Sequence, residues 1–288
     1  MQLSTTSTPY QAELLIFTCS PRNVPSQADD EAARVSRRFP ALMQRGGTAM
    51  TLCRLLLENQ SRKLLLIGHI DERFSSPETN LGFANPSGGL TVLTPSELSD
   101  MLKMHASSSG RVLELVVLNG SCSEPHGRAA LAAGVPAVVC WRTRLLREAA
   151  PLFSEAFFQA LARGLDCQMA FDLAGQEVQL TTQPGELANG QKTHVPKYEL
   201  RDPDGSAPLP HDYFPAPVAV GIPLLLLPHM NLPQLLPRPP HVPPARTALP
   251  PPPSSRLPHG TQAGMRLEIT EQLPDVPRIA GIACCSKD

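Results

Sequence analysis

The segment LELVVLNGSCSE, residues 113–124, contains the apolar run and the polar loop that decide the fold of this chain. Its apolar run, 113–118, predicts a buried strand, and the runs 13–18, 63–69 and 136–141 predict three more. Patterns of helical spacing separate the four runs. Strands buried on both faces and separated by helices are typical of a parallel sheet packed between two helix layers. The sequence therefore predicts an α/β protein with a mostly parallel sheet.

Local patterns indicate how these strands are connected. Residues 94–97 (TPSE) combine a threonine N-cap, proline at the first helical position and glutamate at the third, which predicts the start of a helix. Residues 81–92 contain the turn sequence NPSGG between two short apolar pieces and predict a β-hairpin. Further helices are predicted over 26–38, 48–59, 125–133 and 146–161.

Proline divides the chain of 288 residues into two parts. Ten of the 32 prolines lie in residues 1–183 and 22 in residues 184–288. Runs such as 237–244 favour extended polyproline II or disorder, because proline cannot complete a hydrogen-bonded ladder. We therefore expect a folded domain over residues 10–183, followed by a proline-rich and mostly disordered tail over 184–288. Within this tail the apolar run 218–227 is expected to dock as an edge element, since such runs are rarely left in water.

Charge and cysteine content exclude several classes of protein. The 25 lysines and arginines nearly balance 26 acidic residues, which argues against nucleic acid or an anionic membrane as partner. No basic segment precedes an apolar run near the N-terminus, and the longest apolar stretch, 218–228, is too short to span a bilayer. Seven cysteines without CxxC spacing predict free thiols in a reducing compartment and no metal site. A cytoplasmic, non-membrane protein is expected.

Nucleotide and metal cofactors are not expected either. The chain contains no phosphate-binding P-loop, no GxGxxG sequence and no GxSxG nucleophile elbow. In open α/β sheets, ligands bind outside the carboxyl ends of the strands. His69 follows one predicted strand, and Cys122 follows another just before a predicted helix. An imidazole base and a helix N-terminus both lower the pKa of a thiol, so these two residues are candidates for a nucleophile–base dyad.

The segment from residue 63 to about residue 173 resembles the CHAT domain, a module similar to caspases and separases that is associated with tetratricopeptide repeats. The matching pieces are LLIGH (65–69), VVLNGSCSE (116–124), AALAAGVPAVVCW (129–141) and AAPLFSEAFFQALARG (149–164). The resemblance covers about 110 residues and rests on the combination of these pieces. It implies a three-layer caspase-like fold and a cysteine-type endopeptidase that needs no cofactor.

The resemblance also implies roles for individual residues. His69 matches the base of the family, and the backbone N–H groups near Ile70 and Gly120 would hold the oxyanion. The glycine that follows the family's histidine is Ile70 here, and an ungapped match places Ser121, not Cys122, at the nucleophile. Since neighbouring residues point in different directions, only one of Ser121 and Cys122 faces His69. We favour Cys122, because a bulge at Gly120 would shift the strand by one residue.

Two other functions remain open at this point. The chain is a degenerate pseudo-peptidase that acts as a protein-interaction module if the dyad is lost, or a serine hydrolase if Ser121 is the nucleophile. The expected partners are a protein or peptide substrate and an activating or scaffold protein. Trp141 and Arg142, at the end of the next strand, are candidates for lining a cleft. His126 is an alternative base, although a position at a helix start favours its exposure.

Overall fold

The computed structural model describes residues 12–19, 27–59, 61–68, 81–84, 90–110, 113–205 and 211–228. The chain divides into two compact units, Met1–Leu236 and Pro237–Asp288, and the second unit lies outside the described residues. The helices of the first unit are α1 (Gln27–Arg38), α2 (Ala49–Glu58), α3 (Pro95–Ser109), α4 (Glu124–Ala132), α5 (Ala150–Ala162) and α6 (Cys167–Leu180). The strands are β1 (Leu14–Thr18), β2 (Ala41–Arg45), β3 (Lys63–Ile67), β4 (Leu81–Ala84), β5 (Leu90–Leu93), β6 (Leu115–Asn119), β7 (Val138–Trp141), β8 (Thr182–Leu187), β9 (Lys192–Pro196), β10 (Tyr198–Glu199), β11 (Tyr213–Phe214), β12 (Val218–Ala219) and β13 (Pro223–Leu226).

A six-stranded sheet forms the centre of the first unit, with the order β13-β7-β6-β3-β1-β2. The pairs from β2 to β7 are all parallel, and β13 alone runs antiparallel, against β7 at one edge. The carboxyl ends of the five parallel strands therefore meet at the same side of the sheet. The predicted α/β class with a mostly parallel sheet is confirmed.

Successive side chains of each interior strand point to opposite faces of the sheet, and both sets are apolar, so helices cover both faces. In β6, Leu115 and Val117 pack on the layer formed by α1, α5 and α6. Val116 and Leu118 point to the opposite layer, which contains α2, α3 and α4. All of β6 is buried, as an interior strand between two helix layers must be. The result is a three-layer α/β/α arrangement.

Two local predictions are confirmed by hydrogen bonds and register. Thr94 caps α3, since its hydroxyl accepts from the Glu97 N–H at 3.2 Å while the Glu97 carboxylate accepts from the Thr94 N–H at 2.8 Å. β4 and β5 pair antiparallel, which gives the hairpin predicted over 81–92. Among the elements before residue 182, β2 and α6 were not predicted. β2 is an edge strand whose side chains are only half-buried or exposed, so it lacks the apolar run of the interior strands.

The predicted domain boundary at residue 183 is corrected by the structure. β8 begins at Thr182 and forms a three-stranded sheet with β9 and β11. β13 continues the central sheet beyond β7, and Leu224 and Leu226 are packed into the core. The expected docking of 218–227 as an edge element is thus confirmed. The high proline content after residue 183 led to a boundary that is too early, because proline is tolerated at strand ends and edges. Pro223, at the start of β13, is an example.

None of the described helices is both long enough and apolar enough to cross a membrane.

Candidate functional site

A cleft of about 90 Å³ opens at the carboxyl ends of β3 and β6, where the chemistry of a parallel sheet is expected. It is lined by Ile67, Gly68, Asn119, Gly120 and Ser121 from the strand ends, and by Gln27, Ala28, Glu31, Leu145, Arg147 and Ala150 from α1, α5 and the segment before α5. A buried water needs about 10–15 Å³ measured in this way, so the cleft holds a group of a few atoms.

The wall of the cleft nearest α1 and α5 contains a buried polar network centred on Asn119. The Trp141 indole Nε1–H donates to Asn119 Oδ1 at 2.7 Å, and this donor fixes the orientation of the amide. Asn119 Nδ2 donates to Glu31 Oε1 and to Ser154 Oγ, the latter at 3.1 Å. The Ser154 hydroxyl donates to Glu31 Oε1 at 2.7 Å. The network thereby joins α1, β6, β7 and α5 directly behind the cleft.

The two-residue period of β6 and the helical spacing of α1 place these polar side chains together. Asn119 follows Leu115 and Val117 on the same side of β6, so its amide points toward α1 and α5. On α1 the buried residues Ala28, Glu31, Ala32 and Val35 form one stripe at helical spacing. Glu31 is therefore an acid within an apolar stripe. An acidic residue at a buried helical position is the feature of the sequence that would have pointed to Glu31, and the sequence analysis did not use it.

Burial has a large effect on the ionisation of Glu31, which is only 3% exposed. Removal from water raises the pKa of its carboxyl to about 7, while the hydrogen bonds from Ser154 and Asn119 act in the opposite direction. The burial effect is larger because two neutral donors replace only part of the lost hydration. No charged group of the described residues contributes to the shift.

The loop after β6 is held in one register by the loop after β7. The Cys122 N–H donates to the Thr143 carbonyl at 2.9 Å. The Leu145 N–H donates to Ser121 Oγ at 3.0 Å, and the Trp141 N–H donates to Ser123 Oγ at the same distance. Three successive residues are thus each tied to the 141–145 segment. The loop is not free to slip by one residue without losing these bonds.

In this register Ser121 lines the cleft beside Gly68, whereas Cys122 is not among the lining residues. Cys122 has φ 51°, in the left-handed region, and this turn separates its side chain from the direction taken by Ser121. The predicted one-residue shift at Gly120 is not observed, since β6 pairs one to one with β3 up to Asn119 and the three bonds above fix the residues that follow. The structure thus favours Ser121, not Cys122, as the residue that faces the cleft.

The described surroundings of Cys122 raise the pKa of its thiol. Burial raises the pKa of Cys122, and the carboxylates of Asp204 and Asp202 raise it further, against a smaller opposing effect of Arg144. A reactive thiolate requires the opposite, an electropositive site that lowers the pKa.

The other predicted site residues have different outcomes. His69 and Ile70 lie outside the described residues, so the dyad and the oxyanion position at Ile70 stay predictions. Gly120 lines the cleft. Trp141 is fully buried and packs edge-to-face on Phe153, so it supports the cleft from within and does not line it. Arg142 is half-buried and its guanidinium forms an ion pair with Glu124. Arg142 is not among the residues that line the cleft.

His126 is buried, contrary to the expectation that it is exposed at a helix start. Its Nε2 bonds with the Leu93 carbonyl at 2.8 Å and therefore carries the proton, while the buried Nδ1 has no hydrogen-bond partner among the described residues. Burial lowers the pKa of this imidazole because a second proton would place a cation in the core. His126 joins α4 to β5 and has no access to the cleft.

Within the described part of the chain, no group of three or more histidine, cysteine or acidic side chains is arranged to hold a metal ion. A scan against models of protein families finds no match to this chain, and a search of curated proteins finds none either. The arrangement at the cleft itself offers a hydroxyl, backbone groups of two strand ends and one buried carboxylate. These groups are suited to binding a small polar or charged segment.

Proposed function

We propose that this chain is a CHAT-like pseudo-peptidase, a protein-interaction module whose cleft binds a peptide segment of a partner without cysteine catalysis. The observation that carries the proposal is the position of Ser121, which lines the cleft beside Gly68 at the place that the family match gives to the nucleophile. A mostly parallel sheet between two helix layers is also the architecture that the resemblance implies.

The cysteine endopeptidase that the resemblance implies would need Cys122 at the cleft with an activated thiol. Two observations weigh against that function: Cys122 does not line the cleft, and burial together with two nearby carboxylates raises its pKa. An alcohol has a much higher pKa than a thiol and is the weaker nucleophile, so Ser121 does not replace a thiolate. Binding without cleavage is the function that these contacts support best.

Replacing the hydroxyl by a thiol tests whether only the nucleophile is missing. We expect Ser121→Cys to gain cleavage of fluorescently labelled casein, and the gain should be lost in the double variant with His69→Ala. The unaltered chain should show none. Cleavage by the unaltered chain that Cys122→Ala abolishes would instead establish the cysteine peptidase.

Peptide binding is tested by selecting ligands from a displayed library of random peptides. We expect Ser121→Phe, which fills the cleft, to abolish binding of the selected peptides. The matched control is Cys122→Ala, one residue away and outside the cleft, which should bind as the unaltered chain does. Equal binding by Ser121→Phe, with the fold intact by circular dichroism, would show that the cleft is not the binding site.

A further inference from the structure

The base of the cleft contains a buried carboxylate that has no cation partner among the described residues. The hydrogen bonds that Glu31 receives from this part of the chain, from Asn119 and Ser154, both end on Oε1. Oε2 receives none from these residues. Glu31 nevertheless lines the cleft, so a ligand that enters the cleft meets its carboxylate.

A buried carboxylate in this condition costs free energy whenever it is ionised, because neutral donors do not replace a counter-charge. Its own pKa of about 7 reflects this cost, since burial opposes ionisation more strongly than the two hydrogen bonds favour it. A cation placed beside Oε2 would offset the free-energy cost of ionising Glu31. The chemistry of the site therefore selects for positive charge.

We infer that Glu31 at the base of the cleft recognises a cationic side chain of the bound peptide, a lysine or an arginine. This inference rests on the proposed function, since it specifies which peptide the cleft takes. The cleft volume of about 90 Å³ has room for a group of a few atoms, such as the end of one side chain. Ser121 and Gly120 line the same cleft and are available to contact the rest of the peptide.

Arg147 is the other charged residue among those that line the cleft, and it does not neutralise Glu31. Its side chain is exposed, and among the described residues it forms no ion pair with this carboxylate. The backbone carbonyl of Arg147 accepts from Gln27 Nε2 at 2.8 Å, which fixes the main chain of this residue against the first turn of α1.

The only tryptophan of the chain provides a specific reporter for this site. The Trp141 indole N–H bonds Asn119, and Asn119 bonds Glu31, so the indole resonance responds to a change in the charge of the carboxylate. Because a single indole signal is present, its assignment in a ¹H–¹⁵N spectrum requires no further labelling.

The experiment titrates the full chain with two blocked amino acids, Nα-acetyl-lysine N-methylamide and Nα-acetyl-norleucine N-methylamide, at about pH 8, where Glu31 is ionised. The two probes differ in the ammonium group. We expect the lysine probe to shift the indole resonance with an affinity at least about tenfold higher than that of the norleucine probe. Glu31→Gln should reduce this ratio to about one. The matched control Glu155→Gln, on the outer side of α5 beside Arg38, should preserve it.

Each outcome decides a different question. Equal affinities for the two probes, or a lysine preference that survives Glu31→Gln, would overturn the cation inference while peptide binding stands. The absence of binding by both probes would overturn the cation inference, while the selected peptides and Ser121→Phe decide peptide binding separately. If Glu31→Gln does not fold, a second measurement on the unaltered chain decides. The lysine probe should then lower the pH midpoint of the indole shift, and an unchanged midpoint would contradict the inference.

Discussion

At the scale of the residue, the difference between Ser121 and Cys122 comes from a single backbone conformation. The left-handed φ of 51° at Cys122 turns the chain between β6 and α4, and hydrogen bonds to the 141–145 segment hold that turn. A positive φ costs about 1–2 kcal/mol for a residue with a side chain. Here the surrounding bonds stabilise it. The choice between alcohol and thiol at the cleft is therefore made by backbone geometry and not by the chemistry of either side chain.

Glu31 gives a prediction about stability and pH. In the unfolded chain this carboxyl titrates near 4.5, and in the folded chain near 7. Between these values the folded state binds the proton more tightly, so the free energy of unfolding should fall as pH rises from about 4.5 to about 7. A shift of this size corresponds to about 3 kcal/mol.

Glu31→Gln should remove this pH dependence because the amide keeps an acceptor for Asn119 and Ser154 but does not ionise. Urea unfolding of both proteins at a series of pH values measures the difference. We expect the variant to be the more stable protein above pH 7, by up to about 3 kcal/mol. Parallel stability profiles for the two proteins would mean that Glu31 is not buried as described.

At the scale of the element, the segment before β13 joins the loop after β7. The Leu146 N–H donates to the Val220 carbonyl at 2.7 Å, and the Ile222 N–H donates to Thr143 Oγ1 at 3.0 Å. Gly221 lies between these two contacts with φ 119°, and a Cβ at this position would lie 2.4 Å from the Arg144 carbonyl oxygen. The close approach of the two backbones therefore requires glycine.

Gly221→Ala should destabilise the protein by about 2–4 kcal/mol, because backbone strain and overlap with a carbonyl act together. Gly190→Ala is the matched control: its φ of 83° imposes similar strain, but the nearest atom to the new Cβ is 3.9 Å away. We expect Gly190→Ala to lower the free energy of unfolding by about 1 kcal/mol. Urea midpoints for the two variants measure the difference, and equal losses would show that the close approach is unimportant.

At the scale of the whole molecule, the domain extends past the proline-poor part of the chain. Leu224 and Leu226 pack into one core layer and Leu225 into the other. Burial of a leucine side chain stabilises by about 1.5–3 kcal/mol, so the three leucines of β13 contribute on the order of 5–9 kcal/mol. This is comparable with the entire stability of an ordinary domain.

Truncation tests this extent of the fold. A chain of residues 1–183 should lose cooperative thermal unfolding and bind a hydrophobic dye, because the edge of β7 and both core layers are exposed. A chain of residues 1–236, the full first compact unit, should melt as the unaltered protein does. A cooperative transition in the shorter chain would restore the boundary at 183.

Local sequence by itself determined the elements whose stabilising contacts are close in the chain. The capping box at Thr94, the hairpin 81–93 and the interior strands all follow from residue types within a few positions, because hydrogen bonds and periodicity act at short range. The parallel sheet follows from the alternation of such strands with helices. The general place of the cleft follows too, because carboxyl ends of parallel strands share one edge.

The tertiary structure alone decided which side chains meet there. Glu31 and Ser154 are 123 positions apart, and only the packing of α1 and α5 on one face of the sheet brings them to Asn119. The orientation of Cys122 depends on bonds to a loop 21 positions later. β13 joins β7 from a proline-rich region whose composition predicts disorder. Burial and long-range hydrogen bonds override local preference, since their energies depend on neighbours that the local sequence does not contain.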